Sequence, residues 1–388
     1  MSKFKEILAY HLKNDKYLRK CYTICFSSLF KAIGAFIKTD NKLVLINCYG
    51  GLKYSDSPRS IYEYIKSHPE YDDLRIVWAF GNPEEFRWIK GCSFVKQDSL
   101  SYFITALKAK YWITNVNIER GLHFKKRSTI YLNTWHGIPF KTAGIAAGRD
   151  DYNCSNVNFW CAEGPYSEGI YMRDYRVRPE SLLRVGIPRN DRLYHTNEEE
   201  KIAFKRKMGL PLDKKIISYI PTWRESHDGG KSYEISIPMT IPKWHERLSE
   251  EYVMLFRAHH FTTMVEGLST DSFLFDYSSY PDINDIFIVT DILISDYSSV
   301  TTDFSILERP VVCFGYDYDQ YNKERGFGIN LKEVMPNGIF KNEDDVLNYI
   351  SKMDYSEECK KTTRMLKEQF HKYGQGKATE LCVKSLFG

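Results

Sequence analysis

Short apolar runs recur from residue 43 to residue 315, and helix-like stretches separate them. The first series is LVLINC (43–48), RIVWAF (75–80), KYWITN (110–115), STIYLNTW (128–135), NFWCA (158–162) and LLRVG (182–186), with the helix-like RSIYEYIKSH (59–68) between two of them. A polar, acidic stretch from His195 to Glu200 breaks the pattern, and a second series follows: KIISYIPTW (215–223), VMLFRAH (253–259), DILISD (291–296) and PVVCFG (310–315). Runs that are apolar throughout mark strands buried on both faces, so each series reads as a parallel sheet covered by helices. A chain of 388 residues is too long for one ordinary core. The fold class expected is therefore α/β, with two Rossmann-like doubly wound domains facing each other across a cleft. The division expected is an arm over 1–40, a first domain over 41–197, and a second over 198–388 that includes C-terminal helices.

In open α/β sheets ligands sit beyond the carboxyl ends of the strands, and the unusual polar residues of this chain gather there. After STIYLNTW come His136, Gly137, Ile138, Pro139, Phe140 and Lys141; after LLRVG comes Arg189; after KIISYI come Pro221, Thr222 and Arg224. VMLF leads to Arg257, His259 and His260, and DILI leads to Ser295-Asp296-Tyr297-Ser298-Ser299. One Arg or His at a strand end is usually just solvated. Five such ends together point to an anion. Arg189, Arg224, Arg257, His136 and His259 can donate to phosphoryl oxygens. Ser298 and Ser299 precede SVTTDFSILE, read as a helix, and a helix start offers free N–H groups to an anion. Plain N-capping would use the same serines. Asp303, about one turn on, could reach a donor hydroxyl or amine, or simply be solvated.

Other chemistries fit poorly. There is no GxGxxG, and Gly230-Lys231-Ser232 has the tail of a P-loop with Glu225 where its first glycine belongs. Asp317-Tyr318-Asp319 has the form of a DxD metal site, but two carboxylates alone hold a cation poorly. His259 and His260 are adjacent, so on a strand they point to opposite faces. No metal and no cofactor is expected. The nine cysteines are scattered without a CxxC pair, which suits a reducing compartment without disulfides or structural zinc.

Residues 1–40 hold eight Lys or Arg against Glu6, Asp15 and Asp40, more than the +4 excess of the whole chain. Such an arm seeks an anionic partner. Within it, Tyr22, Cys25, Phe26, Leu29, Ile33 and Phe36 recur at helical spacing, with Thr23, Ser27, Lys31 and Lys38 opposite. That stripe is too polar to span a bilayer and fits a helix lying in an anionic membrane surface. Packing against the protein's own core is the alternative.

The segments TWHGIPFK (134–141), GIPRND (186–191), PTWR (221–224), FRAHH (256–260) and DILISDYSSVTTDFSILERPVVCFGYD (291–317), followed by YNKERGF (321–327), resemble the CDP-glycerol glycerophosphotransferase family. The likeness runs from about residue 42 to about residue 340, and the WHG and DYSS blocks in this order make it specific. It implies a GT-B architecture and a peripheral, monotopic enzyme on the cytoplasmic face of the cell membrane. Such enzymes build wall teichoic acids and related capsule polymers. His136 would be the base and His259 a second catalytic group. Gly137, Ile138, Pro139, Phe140 and Lys141 would line the donor, and Arg189, Pro221, Thr222, Arg224, Arg257, Ser298, Ser299 and Asp303 would complete the site.

The expected reaction is transfer of glycerol phosphate from CDP-glycerol to an undecaprenyl-diphosphate-linked acceptor, without a metal ion. CDP-ribitol is the alternative donor, and a nucleotide-sugar glycosyltransferase the next reading. Nucleic acid ranks last as a partner, because it leaves the five strand-end clusters without a role. A homo-oligomer is compatible with the pattern. Three departures bear on the choice of polyol: Ile138-Pro139-Phe140 stands for the commoner Thr-Pro-Leu, Arg257-Ala258-His259-His260 for Arg-x-His-Pro, and Met335-Pro336-Asn337-Gly338 for Pro-Gly-Pro. The short chain suits a primase or short-chain enzyme.

Overall fold

The computed structural model describes residues 15–148, 153–222, 224, 234–258, 264–266 and 272–388. Seven strands of the first half form one sheet: β1 (Asp40–Asn47), β2 (Arg75–Phe80), β3 (Ser93–Lys96), β4 (Ala109–Thr114), β5 (Ile130–Asn133), β6 (Phe159–Cys161) and β7 (Leu182–Leu183). Their order is β3-β2-β1-β4-β5-β6-β7, and every pairing is parallel. The second half adds β8 (Lys215–Tyr219), β9 (Glu234–Ser236), β10 (Tyr252–Phe256), β11 (Met264–Glu266), β12 (Leu274–Asp276), β13 (Ile292–Ser295) and β14 (Val311–Cys313). Five of these make a second parallel sheet in the order β12-β10-β8-β13-β14, and β9 pairs with β11 apart from it. Strand order thus reverses between β1 and β4 and again between β8 and β13. In doubly wound folds the ligand crevice opens at such reversals.

The unbroken apolar runs have the expected cause. In β1, Leu45 enters one core with Trp112, while Val44 and Ile46 enter the other with Ile113 and Trp78, so both faces of the sheet are buried. β3 and β12 lie at sheet edges and contain only four and three residues, SFVK and LFD. Neither forms a run that the sequence pattern singles out.

The two halves exchange elements. Ile138 and Phe140, from the segment after β5, are 1 % exposed within the core of the second half, where Phe140 meets Phe370 at 5.4 Å. Conversely, the last helix, Ala378–Phe387, returns to the first sheet: Ala378, Cys382, Val383 and Leu386 pack with Ile61 and Ile65. Asp191 caps that helix, its carboxylate accepting from the N–H groups of Ala378 and Thr379 at 2.9 and 2.7 Å.

The helix Lys16–Phe36 starts at Asp15, whose carboxylate accepts from the N–H groups of Tyr17 and Leu18. Its face assignment differs from the expected stripe. Ser27, placed on the polar side by spacing, is buried with Phe30 and Gly34, and its hydroxyl accepts from the His123 N–H at 2.9 Å. Tyr22 and Ile33 pack against the same core. Ile24, Phe26, Leu29 and Phe36 remain exposed. One face docks on the protein while a second apolar strip stays open. No helix among the described residues is long and apolar enough to cross a membrane.

Candidate active site

The segment after β5 is held under backbone strain. Trp135 adopts φ +52°, a left-handed conformation that a bulky residue takes only when its surroundings impose it. Its N–H donates to Asn133 Oδ1 at 2.9 Å, and its ring sits against Trp160 (5.4 Å) and Tyr175 (4.7 Å). This twist presents the partly buried His136. His136 Nδ1 lies 2.8 Å from the Asn115 carbonyl at the end of β4. A carbonyl only accepts, so Nδ1 carries the proton and Nε2 keeps its lone pair. Burial pushes the imidazole below its ordinary pKa of 6.5, Arg189 adds to that, and the Asn115 bond and Asp56 partly oppose it.

Gly137 follows at φ +133°, which only glycine adopts without strain, and a Cβ there would lie 2.9 Å from Ser299 Oγ. The glycine therefore brings the His136 backbone against the serine pair of the second half. Ser299 begins the helix Val300–Ser305 without a side-chain cap bond, while Ser298 Oγ only weakly accepts the Val300 N–H at 3.4 Å. That helix is six residues long, shorter than SVTTDFSILE suggests, so its dipole is correspondingly small.

Arg189 departs from its expected role. Its Nη1 donates to Asp56 at 2.5 Å, and its Nη2 donates to Asp303 at 2.6 Å and to the His136 carbonyl at 3.1 Å. All three side chains are nearly buried, with exposures of 9, 5 and 4 %. Asp303 also accepts from Asn190 Nδ2 at 2.7 Å. Neither group offers the free charge that the sequence suggested. Burial raises the Asp56 carboxyl, but Arg189, the Tyr49 hydroxyl and the Ser57 N–H outweigh it and hold it below the usual range.

At the second reversal, Asp296 gathers the groups. Its carboxylate accepts the Thr222 N–H at 2.9 and 3.1 Å and pairs with Arg224 Nη1 at 2.9 Å. Arg224 also forks onto Asp317 at 2.7 and 2.9 Å, and the Tyr297 hydroxyl donates to Asp317 at 2.8 Å. Asp317 and Asp319 therefore share no ligand geometry, since Asp319 pairs with Lys341. Lys141 reaches across from the first half, its Nζ donating to Thr222 Oγ1 at 3.3 Å and lying 5.6 Å over the Tyr321 ring. Burial pushes its ammonium down to about 8. Pro221 is buried beside them. Arg257 Nη1 donates to the carbonyls of Tyr280 (2.5 Å) and Tyr277 (3.3 Å).

The candidate residues thus divide. His136, Gly137, Ser299, Arg189 and Asp303 meet at one junction, and Lys141, Pro221, Thr222 and Arg224 at another. Ile138 and Phe140 are packed inside the second core, not offered to a ligand, and the Pro139 carbonyl accepts from the Tyr166 hydroxyl at 3.2 Å. His259, with His260 and the Gly230-Lys231-Ser232 segment, lies outside the described residues. Sequence reasoning passed over Tyr49, Asp56 and Asn115, and gave Asp296 no role although it stands in the cluster after DILI. Asn115 and Tyr49 do follow strand runs, but their weight depends on β1 and β4 being neighbours, which no local pattern reveals.

Comparison with known proteins gives a consistent result. The family model of the CDP-glycerol:poly(glycerophosphate) glycerophosphotransferases matches residues 29–388. The teichoic acid glycerol-phosphate transferase of Staphylococcus aureus (strain NCTC 8325 / PS 47) is 30 % identical over 93 % of this chain and 97 % of its own length. The teichoic acid poly(glycerol phosphate) polymerase of Staphylococcus epidermidis (strain ATCC 35984 / DSM 28319 / BCRC 17069 / CCUG 31568 / BM 3577 / RP62A) is 33 % identical over 78 % of this chain, which spans about half of that longer protein (45 %). A teichoic acid poly(ribitol-phosphate) polymerase of Bacillus spizizenii (strain ATCC 23059 / NRRL B-14472 / W23) matches at 25 % over 88 % of this chain and 56 % of its own. Among solved structures, a variant of the wall teichoic acid polymerase TagF soaked with CDPG superposes with a TM-score of 0.80 at 28 % identity, covering 96 % of both chains.

Proposed function

The chain belongs to the CDP-glycerol:poly(glycerophosphate) glycerophosphotransferase family, and from that premise we propose that it moves glycerol phosphate from CDP-glycerol to the terminal hydroxyl of a lipid-linked teichoic acid or capsule precursor. The observation that carries this reading is the approach of the His136 segment to the serine pair of the second half, with Gly137 against Ser299. The first half supplies the base and the acceptor side; the second holds the donor. The acceptor oxygen attacks the phosphorus that bears the glycerol, a new P–O bond forms, and the bond to CMP breaks. His136 Nε2 takes the hydroxyl proton, and the electron pair leaves with CMP. An alcohol is a weak nucleophile at neutral pH, so a neutral imidazole within hydrogen-bond reach is the appropriate base. Lys141 offsets the charge that develops on the departing CMP, since phosphoryl transfer depends on positioning and electrostatics above all.

Glycerol is preferred over ribitol because identity is higher to the glycerol-phosphate enzymes than to the ribitol-phosphate polymerase. Incubation with a lipid-linked acceptor and either CDP-glycerol or CDP-ribitol, reading CMP release, is expected to favour CDP-glycerol. Faster release from CDP-ribitol transfers the reading to the ribitol enzyme. Turnover of a UDP- or GDP-sugar alone defeats both.

The enzyme works at the cytoplasmic face of the cell membrane, where its acceptor lies. Supporting this, the open strip of Phe26, Leu29 and Phe36 lies on the helix that also carries Lys16, Arg19, Lys20 and Lys31. Basic charge beside an apolar strip suits an anionic lipid surface. Leu29 and Phe36 are 50 and 92 % exposed, so Leu29→Glu with Phe36→Glu leaves the docked face intact. Sedimentation with anionic vesicles is expected to drop sharply for this variant, with the melting temperature unchanged. Undiminished sedimentation rejects the strip as the anchor.

A further inference from the structure

Tyr49 belongs to no motif, yet it closes a ring of hydrogen bonds around the base. It stands just beyond β1, as Asn115 stands just beyond β4, and these strands are neighbours at the first reversal of strand order. The Tyr49 N–H donates to Asn115 Oδ1 at 2.9 Å, and the Asn115 carbonyl accepts from His136 Nδ1 at 2.8 Å. On the other arm, the Tyr49 hydroxyl donates to Asp56 at 2.6 Å. Asp56 accepts from Arg189 at 2.5 Å, and Arg189 donates in turn to the His136 carbonyl at 3.1 Å. Both arms therefore start at Tyr49 and end on His136. Between them the rings of Tyr49 and His136 meet directly, 5.7 Å apart and inclined at 57°.

The backbone is bent to make this arrangement. Tyr49 adopts φ +47° and Asp56 φ +60°, and Trp135, next to His136, adopts φ +52°. Left-handed backbone is costly for a bulky side chain and persists only where the surroundings impose it. Burial, and after it the Asp56 charge, pushes the Tyr49 phenol well above its ordinary value, so the hydroxyl stays protonated and donates. One hydrogen bond at Nδ1 leaves an imidazole free to rock about that contact. A second ring packed beside it removes the freedom and keeps water off.

We propose that Tyr49 is a positioning residue for the transfer, holding the His136 imidazole so that Nε2 faces the acceptor hydroxyl. This rests on the reading of His136 as the base and adds to it the residue that sets the direction of that base. Tyr49 acts through His136, not on the substrate.

The test is a double-mutant cycle of Tyr49→Leu with His136→Ala, reading CMP release over a pH series. Tyr49→Leu is expected to lower kcat roughly 10–100-fold, the cost of a misaligned catalytic group, with KM for CDP-glycerol unmoved. Water reaching the uncovered imidazole relieves its burial, so the acid limb of kcat/KM moves up toward pH 6.5. Tyr49→Phe keeps the ring and loses only the Asp56 bond, and is expected to restore most of the turnover. In the His136→Ala background Tyr49→Leu is expected to cost nothing further, because no imidazole remains to be positioned. Losses that multiply in the double variant overturn the proposal. So do a rise in KM for CDP-glycerol, an unmoved acid limb, or a Tyr49→Phe enzyme as slow as Tyr49→Leu. If Tyr49→Leu does not fold, Tyr49→Met, which fills more of the space, takes its place in the cycle with the same expectations. Near-native turnover of His136→Ala alone defeats the parent assignment of the base, and this one with it; a slow His136→Ala whose loss multiplies with that of Tyr49→Leu defeats only this one.

Discussion

Replacing His136 by alanine is expected to lower turnover roughly 10²–10⁴-fold, the usual worth of a positioned general base, while KM for CDP-glycerol stays near the wild-type value. The Asn115 carbonyl fixes the proton on Nδ1, so the basic Nε2 is available without a rearrangement. Burial first, then Arg189, holds the imidazole below its ordinary 6.5 despite the opposing Asn115 and Asp56. The ring is therefore neutral at pH 7, and the base is lost only as pH falls through the lowered value. The acid limb of the kcat/KM profile, which reports the free enzyme, should lie below pH 6.5 and vanish in the alanine variant. Near-native turnover, or an acid limb that survives the substitution, would remove His136 from the role of base.

What was readable in the sequence follows from where burial is local and where it is not. Strands such as ILIS in β13 and KIISY in β8 announce themselves because helices cover both sheet faces, leaving no polar alternation. SFVK in β3 and LFD in β12 hold only two apolar positions each and end on a charged residue, so neither was visible. His136, Ser298 and Ser299 were legible because each follows an apolar run directly. The fate of Arg189 was not, since Asp56 and Asp303 lie 133 and 114 residues away in the chain. Helical spacing likewise placed Ser27 on the wet side of its helix, because a period shows which residues share a face but not which face meets the protein. Ile138 and Phe140 look like ligand-lining residues beside WHG; only the tertiary exchange between the halves reveals them as plugs in the second core.

Arg189→Met should destabilise the protein by about 3–5 kcal/mol, the cost of leaving buried charges without their partner. Asp56 comes from the first half and Asp303 from the second, so the guanidinium bridges the two sides of the cleft directly beneath the His136 carbonyl. Methionine fills much of the space but leaves two nearly buried carboxylates with no cation. The pH dependence separates this from a mere loss of packing. In the wild type the Asp56 carboxyl is held below its usual range, so its contribution to stability is present above the unfolded carboxylate pKa and fades as pH falls through the lowered value. In the variant the carboxylates can relieve their repulsion by taking up protons, so the gap in melting temperature should be widest at neutral pH and narrow toward about pH 4. Arg189→Lys should fall between, because an ammonium keeps the charge but cannot fork onto both carboxylates. If Arg189→Met melts like the wild type at pH 7 and only KM for CDP-glycerol rises, the residue serves the donor and the bridge between the halves is incidental.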